Sequence, residues 1–183
     1  GVEVKPLLAF NGARLWNQVF FENAMVPREN CLGGENKGWS VAKSLLGDER
    51  LLVSRVGENL RICQRLLDLL KAPPIGINDT EDWMLRLSKT RIRLEGLEAS
   101  ALRLLSKFDQ GGVVGAEPSM LKLQGSQLVQ AFDELLMDLV GEYALPENRF
   151  IREESSSVSD DSIDMIASGR YHHRGFTLAG GTS

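Results

Sequence analysis

One carboxylate interrupts an otherwise apolar stripe in the first half of the chain. Glu49 lies three residues after Leu46 and four before Val53. A carboxyl group in an apolar site has a raised pKa, which suits a general base working near neutral pH. An internal salt bridge, or a helical turn open to solvent, would explain the same pattern, and from the pattern alone these structural explanations are favoured.

The other reactive side chains give weaker signals. His172 and His173 are adjacent, so on a helix they point in different directions and do not form an i, i+4 metal pair. We expect solvent or polar contacts for both. Cys31 and Cys63 have no metal-ligand neighbour at a usual spacing, so no metal site is predicted. Two thiols without a disulfide framework favour a reduced, cytoplasmic setting.

Composition narrows the class of protein. The chain has 183 residues, 43% of them apolar, and its 21 basic and 25 acidic residues give a net charge of −4. This length allows one domain, or one and a piece of another. The mild negative charge argues against a nucleic-acid binder. No apolar run approaches the roughly 20 residues of a membrane span, so no membrane association is predicted.

The first 34 residues have a β pattern. Strand-like segments at 2–10 and 15–21 flank an Asn11-Gly12 turn signal, and the segment closes at Gly33-Gly34. A two-stranded hairpin is marginally stable by itself, so its partners must lie elsewhere. We interpret residues 1–34 as the last strands of a larger β domain.

Helical periodicity dominates residues 35–183. The stripe that contains Glu49 predicts one long helix that ends at Pro73-Pro74. Two more helices and a short fourth one, over 162–171 after a charged, serine-rich loop at 152–161, complete a mainly α, up-and-down bundle preceded by a short β segment. The three stripes are Ala42, Leu46, Glu49, Val53, Val56, Leu60, Cys63, Leu67 and Leu70; Leu87, Thr90, Leu94, Leu97, Ala101, Leu104 and Phe108; and Gly125, Leu128, Phe132, Leu135 and Leu139.

Four segments resemble the acyl-CoA dehydrogenase family. Residues 20–33, FFENAMVPRENCLG, resemble the end of its middle β domain, and residues 34–39, GENKGW, are similar to the G-x-G-W that opens its next long helix. Residues 47–50, GDER, resemble its acyl-CoA contact segment, and residues 176–183 resemble its catalytic turn. The resemblance covers the whole chain. It implies the C-terminal half of such an enzyme, with the final helix truncated, most like the pimeloyl-CoA dehydrogenase-type branch.

The resemblance also implies the position of the base. Most members place a catalytic glutamate immediately before the Gly-Thr of the final turn, where this chain has Gly180. A minority supply the base from the first long helix, at the position of Glu49. The implied chemistry is α,β-dehydrogenation of an acyl-CoA thioester, in which Glu49 takes the α-proton. The backbone N–H of Gly180 would stabilise the thioester oxygen as charge develops on it.

The remaining implied contacts are with substrate and flavin. Those with acyl-CoA fall on Asp48, Arg50 and Gly181, and those with FAD on Gly141, Thr182 and Ser183. Glu142 would repel a pyrophosphate, so either the adenosine half of FAD lies differently or a partner subunit supplies its contacts. The expected partners are acyl-CoA, an electron-transferring flavoprotein, and further subunits in a homodimer or tetramer, which could be heteromeric. We expect the fragment alone to be inactive.

A second hypothesis is a non-catalytic one. The glycine at position 180 and the poor adenosine-side motif would also suit a helical structural subunit, or a dimerisation module, of a heteromeric acyl-CoA dehydrogenase.

Overall fold

The computed structural model describes residues 1–9, 14–52, 54–73, 79–113, 115–141 and 166–179. Two compact units, Gly1–Leu46 and Gly47–Ser183, divide the chain. None of the helices within the described residues is both long enough and apolar enough to cross a membrane.

The first unit contains the predicted hairpin. Strand β1 (Val2–Leu8) pairs antiparallel with β2 (Arg14–Phe21), with Val2 opposite Phe21 and a register irregularity after Leu7. The predicted Asn11-Gly12 turn lies outside the described residues. A single hairpin leaves both of its faces open, so the following apolar side chains are exposed: Val2, Val4, Leu7, Leu8, Trp16, Val19, Phe20 and Phe21.

The prediction of one long helix over the Glu49 stripe was wrong. Helix α1 spans Gly38–Leu52 and α2 spans Val56–Lys71. Between them Arg55 has a left-handed backbone (φ 54°), a conformation that residues other than glycine rarely adopt. A right-handed helix cannot continue through such a residue.

The interruption changes which face of α2 is buried. Leu60, predicted to lie in the apolar stripe, is 41% exposed, whereas Asn59 is completely buried. A left-handed residue rotates the chain that follows it, so the spacing in α1 does not continue in phase into α2. The buried residues of α2 are Asn59, Ile62, Cys63, Leu66, Leu69 and Leu70.

Three further helices complete the second unit. Helix α3 spans Thr80–Asp109, and its N-cap Asp79 accepts a hydrogen bond from the Asp82 N–H. Helix α4 spans Glu117–Val140, with Pro118 in its first turn. Helix α5 spans Ile166–Arg174 and leads into a 3-10 turn at Gly175–Thr177. The predicted fourth helix therefore ends three residues later than expected, while the loop at 152–161 lies outside the described residues.

Helix α4 lies at the centre of the bundle. It packs against α2, α3 and α5, so it buries more than one face. Its predicted stripe is buried throughout, and the α3 stripe is buried or half-buried except for Phe108, which is 51% exposed. The predicted helical bundle with a short β segment is confirmed.

Candidate functional site

The segment with the predicted base lies near the end of α1. The backbone of Asp48, Glu49 and Arg50 is helical, whereas their side chains lie outside the described part of the chain. The role of Glu49 stays a prediction.

The predicted glycine turn begins where the described chain ends. Gly180, Gly181, Thr182 and Ser183 all lie outside the described residues. Just before them, the N–H of Ala179 donates to the carbonyl of Gly175 at 2.9 Å.

Gly141 is the one predicted FAD contact within the described residues. It ends α4 with φ 57° and ψ −129°, a backbone conformation essentially confined to glycine. Among the described residues, a Cβ at this position would meet nothing within 4 Å. The carbonyl end of a helix has partial negative charge, however, so α4 itself does not attract a pyrophosphate.

The structure brings together a group of ionisable side chains that the sequence analysis missed. The Nδ1 of His173 lies 2.7 Å from Oδ2 of Asp133, and its Nε2 lies 3.2 Å from Oε1 of Glu58. The side chains of His173 and Asp133 are only 13% and 5% exposed. One imidazole therefore connects three helices, with Glu58 from α2, Asp133 from α4 and His173 from α5.

This arrangement favours the charged form of both His173 and Glu58. Burial opposes the charge on His173, but the hydrogen bonds to Asp133 and Glu58 outweigh burial and raise the histidine pKa to about 9. The hydrogen bond from His173, against the effect of burial and with help from Arg55, lowers the pKa of Glu58 to about 2. At neutral pH both ring nitrogens donate, so His173 has no lone pair with which to act as a base.

Two cationic side chains also contact the 3-10 turn that follows α5. Arg55 donates from Nη1 to Glu58 at 2.8 Å, and its guanidinium lies over the ring of the buried Phe176, 3.1 Å from the centroid. The buried Lys122 of α4 donates from Nζ to the carbonyl of Thr177 at 3.1 Å. A cation is favourable at the carbonyl end of a helix, so the Lys122 contact stabilises the end of α5, and the Arg55 guanidinium adds a cation–π contact with the following turn. We call Arg55, Glu58, Lys122, Asp133 and His173 the α5 clamp.

A sequence signal for this group did exist. Asp133 lies in a second stripe of α4, with Val129 four residues before it and Leu136 and Val140 after it at spacings of three and four. All four are buried. This is the same signal that singled out Glu49, a carboxylate at helical spacing among apolar residues. The expectation of polar contacts for the histidines is confirmed at His173, which is held between two carboxylates.

Residues 36–183 match the family model for the acyl-CoA dehydrogenase C-terminal domain.

Two similar proteins are named acyl-CoA dehydrogenases. Acyl-CoA dehydrogenase FadE34 of Mycobacterium tuberculosis is 32% identical over 152 residues, which cover 82% of this chain and 21% of that protein. Acyl-CoA dehydrogenase IpdE1 of the same organism is 26% identical over 155 residues, which cover 82% of this chain and 39% of that protein. The chain thus spans less than half the length of these relatives.

A solved structure shares the fold. The crystal structure of an acyl-CoA dehydrogenase from Slackia heliotrinireducens matches with a TM-score of 0.72 and 18% identity, over 100% of this chain and 46% of that one.

Proposed function

This chain belongs to the acyl-CoA dehydrogenase family, and we propose that it forms the C-terminal part of a flavin-dependent enzyme that introduces an α,β double bond into an acyl-CoA thioester. The match of residues 36–183 to the family's C-terminal domain carries this proposal. The exposed apolar side chains on the hairpin support an assignment of residues 1–34 to the last strands of a larger β domain.

Proton abstraction is the step that we assign to Glu49. Its carboxylate would remove the proton from the α-carbon and leave the electron pair on the thioester enolate. The resemblance supports this position for the base, and so does the glycine at 180, which offers no carboxylate at the usual place. General-base catalysis of this kind contributes roughly 10²–10⁴-fold to a rate.

The turn at 180–183 would stabilise and orient the reacting thioester. The N–H of Gly180 would donate to the carbonyl oxygen, where negative charge develops. Gly181, Asp48 and Arg50 would contact acyl-CoA. These assignments need the turn to lie close to the end of α1, so the contacts that fix α5 matter to the chemistry.

FAD is the cofactor that we assign. When bound, it would accept the β-hydrogen as hydride. Gly141 has no side chain and no described residue within 4 Å of a built Cβ, which supports close approach of the flavin nucleotide there, and Thr182 and Ser183 are the further contacts assigned from this chain. Because the carbonyl end of α4 does not attract phosphate, we assign pyrophosphate neutralisation to other groups, which a neighbouring subunit in a dimer or tetramer could supply.

The expected electron acceptor is an electron-transferring flavoprotein, and the expected setting is the cytoplasm. Free thiols at Cys31 and Cys63 support a reducing compartment. An oxidase would share the same residues and use molecular oxygen instead. Oxygen consumption during acyl-CoA turnover, measured with and without an artificial acceptor, distinguishes the two reactions.

Replacement of the proposed base is the direct test. In the full-length protein, Glu49→Gln should retain bound flavin but slow anaerobic flavin bleaching by acyl-CoA by about 10²–10⁴-fold. Glu95→Gln is the control, because it removes an exposed carboxylate paired with Arg91 on α3. Bleaching of the Glu49→Gln protein at the wild-type rate would remove Glu49 from the mechanism.

The alternative is a non-catalytic helical subunit or dimerisation module of a heteromeric enzyme. The position of Gly141 at the negative end of α4 favours it, because that end alone makes a poor phosphate site. Purified full-length protein that is yellow and dehydrogenates acyl-CoA without a second subunit would exclude this alternative. We expect the 183-residue chain alone to show no turnover.

A further inference from the structure

The α5 clamp connects two stretches of chain that are far apart in sequence. Arg55 and Glu58 lie at the start of α2, shortly after α1 ends at Leu52. His173 lies in the last turn of α5, and Thr177 lies three positions before Gly180, where the glycine turn begins in the sequence. The clamp therefore joins the segment that follows the proposed base to the segment that leads into the proposed oxyanion donor.

The contacts at the two ends of this connection are short and shielded from water. Nε2 of His173 reaches Glu58 at 3.2 Å, and Glu58 reaches Arg55 at 2.8 Å. The Glu58 side chain is 20% exposed, so solvent weakens these ion pairs less than it would on an open surface. A left-handed backbone at Arg55 places its guanidinium over Phe176, within the 3-10 turn that follows α5.

Asp133 supplies the fixed end of the connection. It projects from the central helix α4 and is 4% exposed, and its Oδ2 lies 2.7 Å from Nδ1 of His173. Removing one member of a buried ionic group leaves the others unpaired at considerable cost, so the members hold one another in a single arrangement. The neighbouring ionisable groups on α5 itself are His172, which packs edge-on against Phe176, and Arg174.

We propose that His173 is a positioning residue, which as an imidazolium between Glu58 and Asp133 holds the end of α5, as far as Thr177, in one position relative to the start of α2. This inference rests on the proposed function. It adds that one charged histidine, far in sequence from the proposed base, determines whether proton abstraction and oxyanion stabilisation act on the same bound thioester.

The pH dependence of turnover is the first measurement, and it needs no substitution. Loss of the imidazolium proton removes one of the two carboxylate contacts, so kcat of the wild-type holoenzyme should fall as pH rises through about 9. In Asp133→Asn the histidine loses its buried carboxylate partner, so this fall should move to lower pH. A contribution to folding alone would leave kcat per folded, flavin-bound enzyme with an unchanged pH profile.

The second measurement compares the effect of each substitution on kcat with its effect on KM. Asp133→Asn and Glu58→Gln should each lower kcat by about 10-fold or more with little change in KM, because a displacement of the order of 1 Å between reacting groups can cost about 100-fold. Two substitutions are used so that a folding defect in one leaves the other informative. Glu134→Gln is the matched control, since its exposed carboxylate also joins α4 to α5, through Arg170 at 3.9 Å.

Hydrogen exchange provides a readout that does not depend on activity. Amides of residues 166–179 should exchange faster in Asp133→Asn than in wild type, and at the wild-type rate in Glu134→Gln. Wild-type kcat, pH profile and exchange in Asp133→Asn would overturn the positioning role, even if Glu49→Gln is inactive. Conversely, a wild-type holoenzyme that acyl-CoA does not reduce would overturn the proposed function, while the exchange rates would still show whether the clamp holds α5.

Discussion

The carbonyl group of Ser54 lies directly against the α-carbon of Gly125. A Cβ at Gly125 would overlap the Ser54 carbonyl oxygen and stand 2.8 Å from its carbon. The carbonyl of Gly125 in turn accepts a hydrogen bond from Nδ2 of Asn59 at 3.1 Å, and the same amide donates to the carbonyl of Arg55 at 2.9 Å. The Ser54 backbone and the Asn59 side-chain amide thus hold the interruption between α1 and α2 against the central helix.

Substitution of Gly125 should therefore destabilise the bundle. Both sides of the overlap are backbone, so Gly125→Ala cannot be accommodated by a rotamer change and should lower the free energy of unfolding by about 1–3 kcal/mol or more. The control is Gly96→Ala in α3, where a Cβ meets none of the described residues within 4 Å and helix propensity predicts a gain of about 0.5–1 kcal/mol. Urea denaturation of both variants measures the difference, and equal stability would contradict the close approach.

Two phenylalanines should respond very differently to truncation. Phe132 is completely buried at the centre of α4, whereas Phe108 is 51% exposed near the end of α3. Phe132→Ala loses the transfer free energy and leaves a cavity, and should cost about 3–5 kcal/mol. Phe108→Ala should change the free energy of unfolding by no more than about 0.5 kcal/mol, as at other surface positions. Thermal and urea unfolding of the two variants side by side test the assignment of the core.

The two thiols should differ in reactivity. Cys31 is exposed, whereas Cys63 is 4% exposed in α2 and burial raises its thiol pKa. Since the thiolate is the reactive form, Ellman's reagent should modify Cys31 quickly and Cys63 slowly. Cys31→Ser isolates the slow reaction. In denaturant both thiols should react at similar rates, and fast modification of Cys63 in the folded protein would contradict its burial.

Local periodicity was sufficient to predict the bundle but not the break in its first helix. Apart from the exposed Phe108, the stripes of α3 and α4 were predicted correctly because each lies within one uninterrupted helix, where spacing determines the buried face. Nothing in Val53, Ser54 or Arg55 signals a helix end, since none is glycine or proline. Around Arg55, Ser54 packs against Gly125 and Asn59 donates to the Gly125 carbonyl, and these contacts with a distant helix are not contained in any local pattern.

The candidate site was predictable only in part, for a related reason. An apolar stripe interrupted by a carboxylate marks both Glu49 and Asp133, but the pattern alone does not identify the partner of either group. Asp133 is paired with a histidine 40 residues away in sequence. Periodicity within one helix contains no information about which residue of another helix lies opposite. Only the packing of α5 on α4 shows that the Asp133 carboxylate is paired with His173.

The free energy of unfolding should decrease both as pH rises above neutrality and as pH falls far below it. These two decreases are the alkaline limb and the acid limb of the stability profile. The pKa of His173 is about 9 in the folded chain against an ordinary 6.5, so its contribution is fully present below pH 6.5 and is lost as pH rises through about 9. The pKa of Glu58 is about 2 against an ordinary 4.5, so its contribution is present above pH 4.5 and is lost as pH falls toward 2. At about 1.4 kcal/mol per pKa unit, each limb is of the order of a few kcal/mol.

Urea unfolding from pH 5 to pH 10 measures the alkaline limb. Asp133→Asn should flatten it, because the histidine proton then has one carboxylate partner instead of two. Glu134→Gln should retain the wild-type slope, since its ion pair with Arg170 is exposed and weakly coupled to His173. A free energy of unfolding that stays constant between pH 6.5 and pH 9 in the wild type would mean that His173 is neutral in the folded chain. In that case the ionic contacts between α2, α4 and α5 could not operate as assigned.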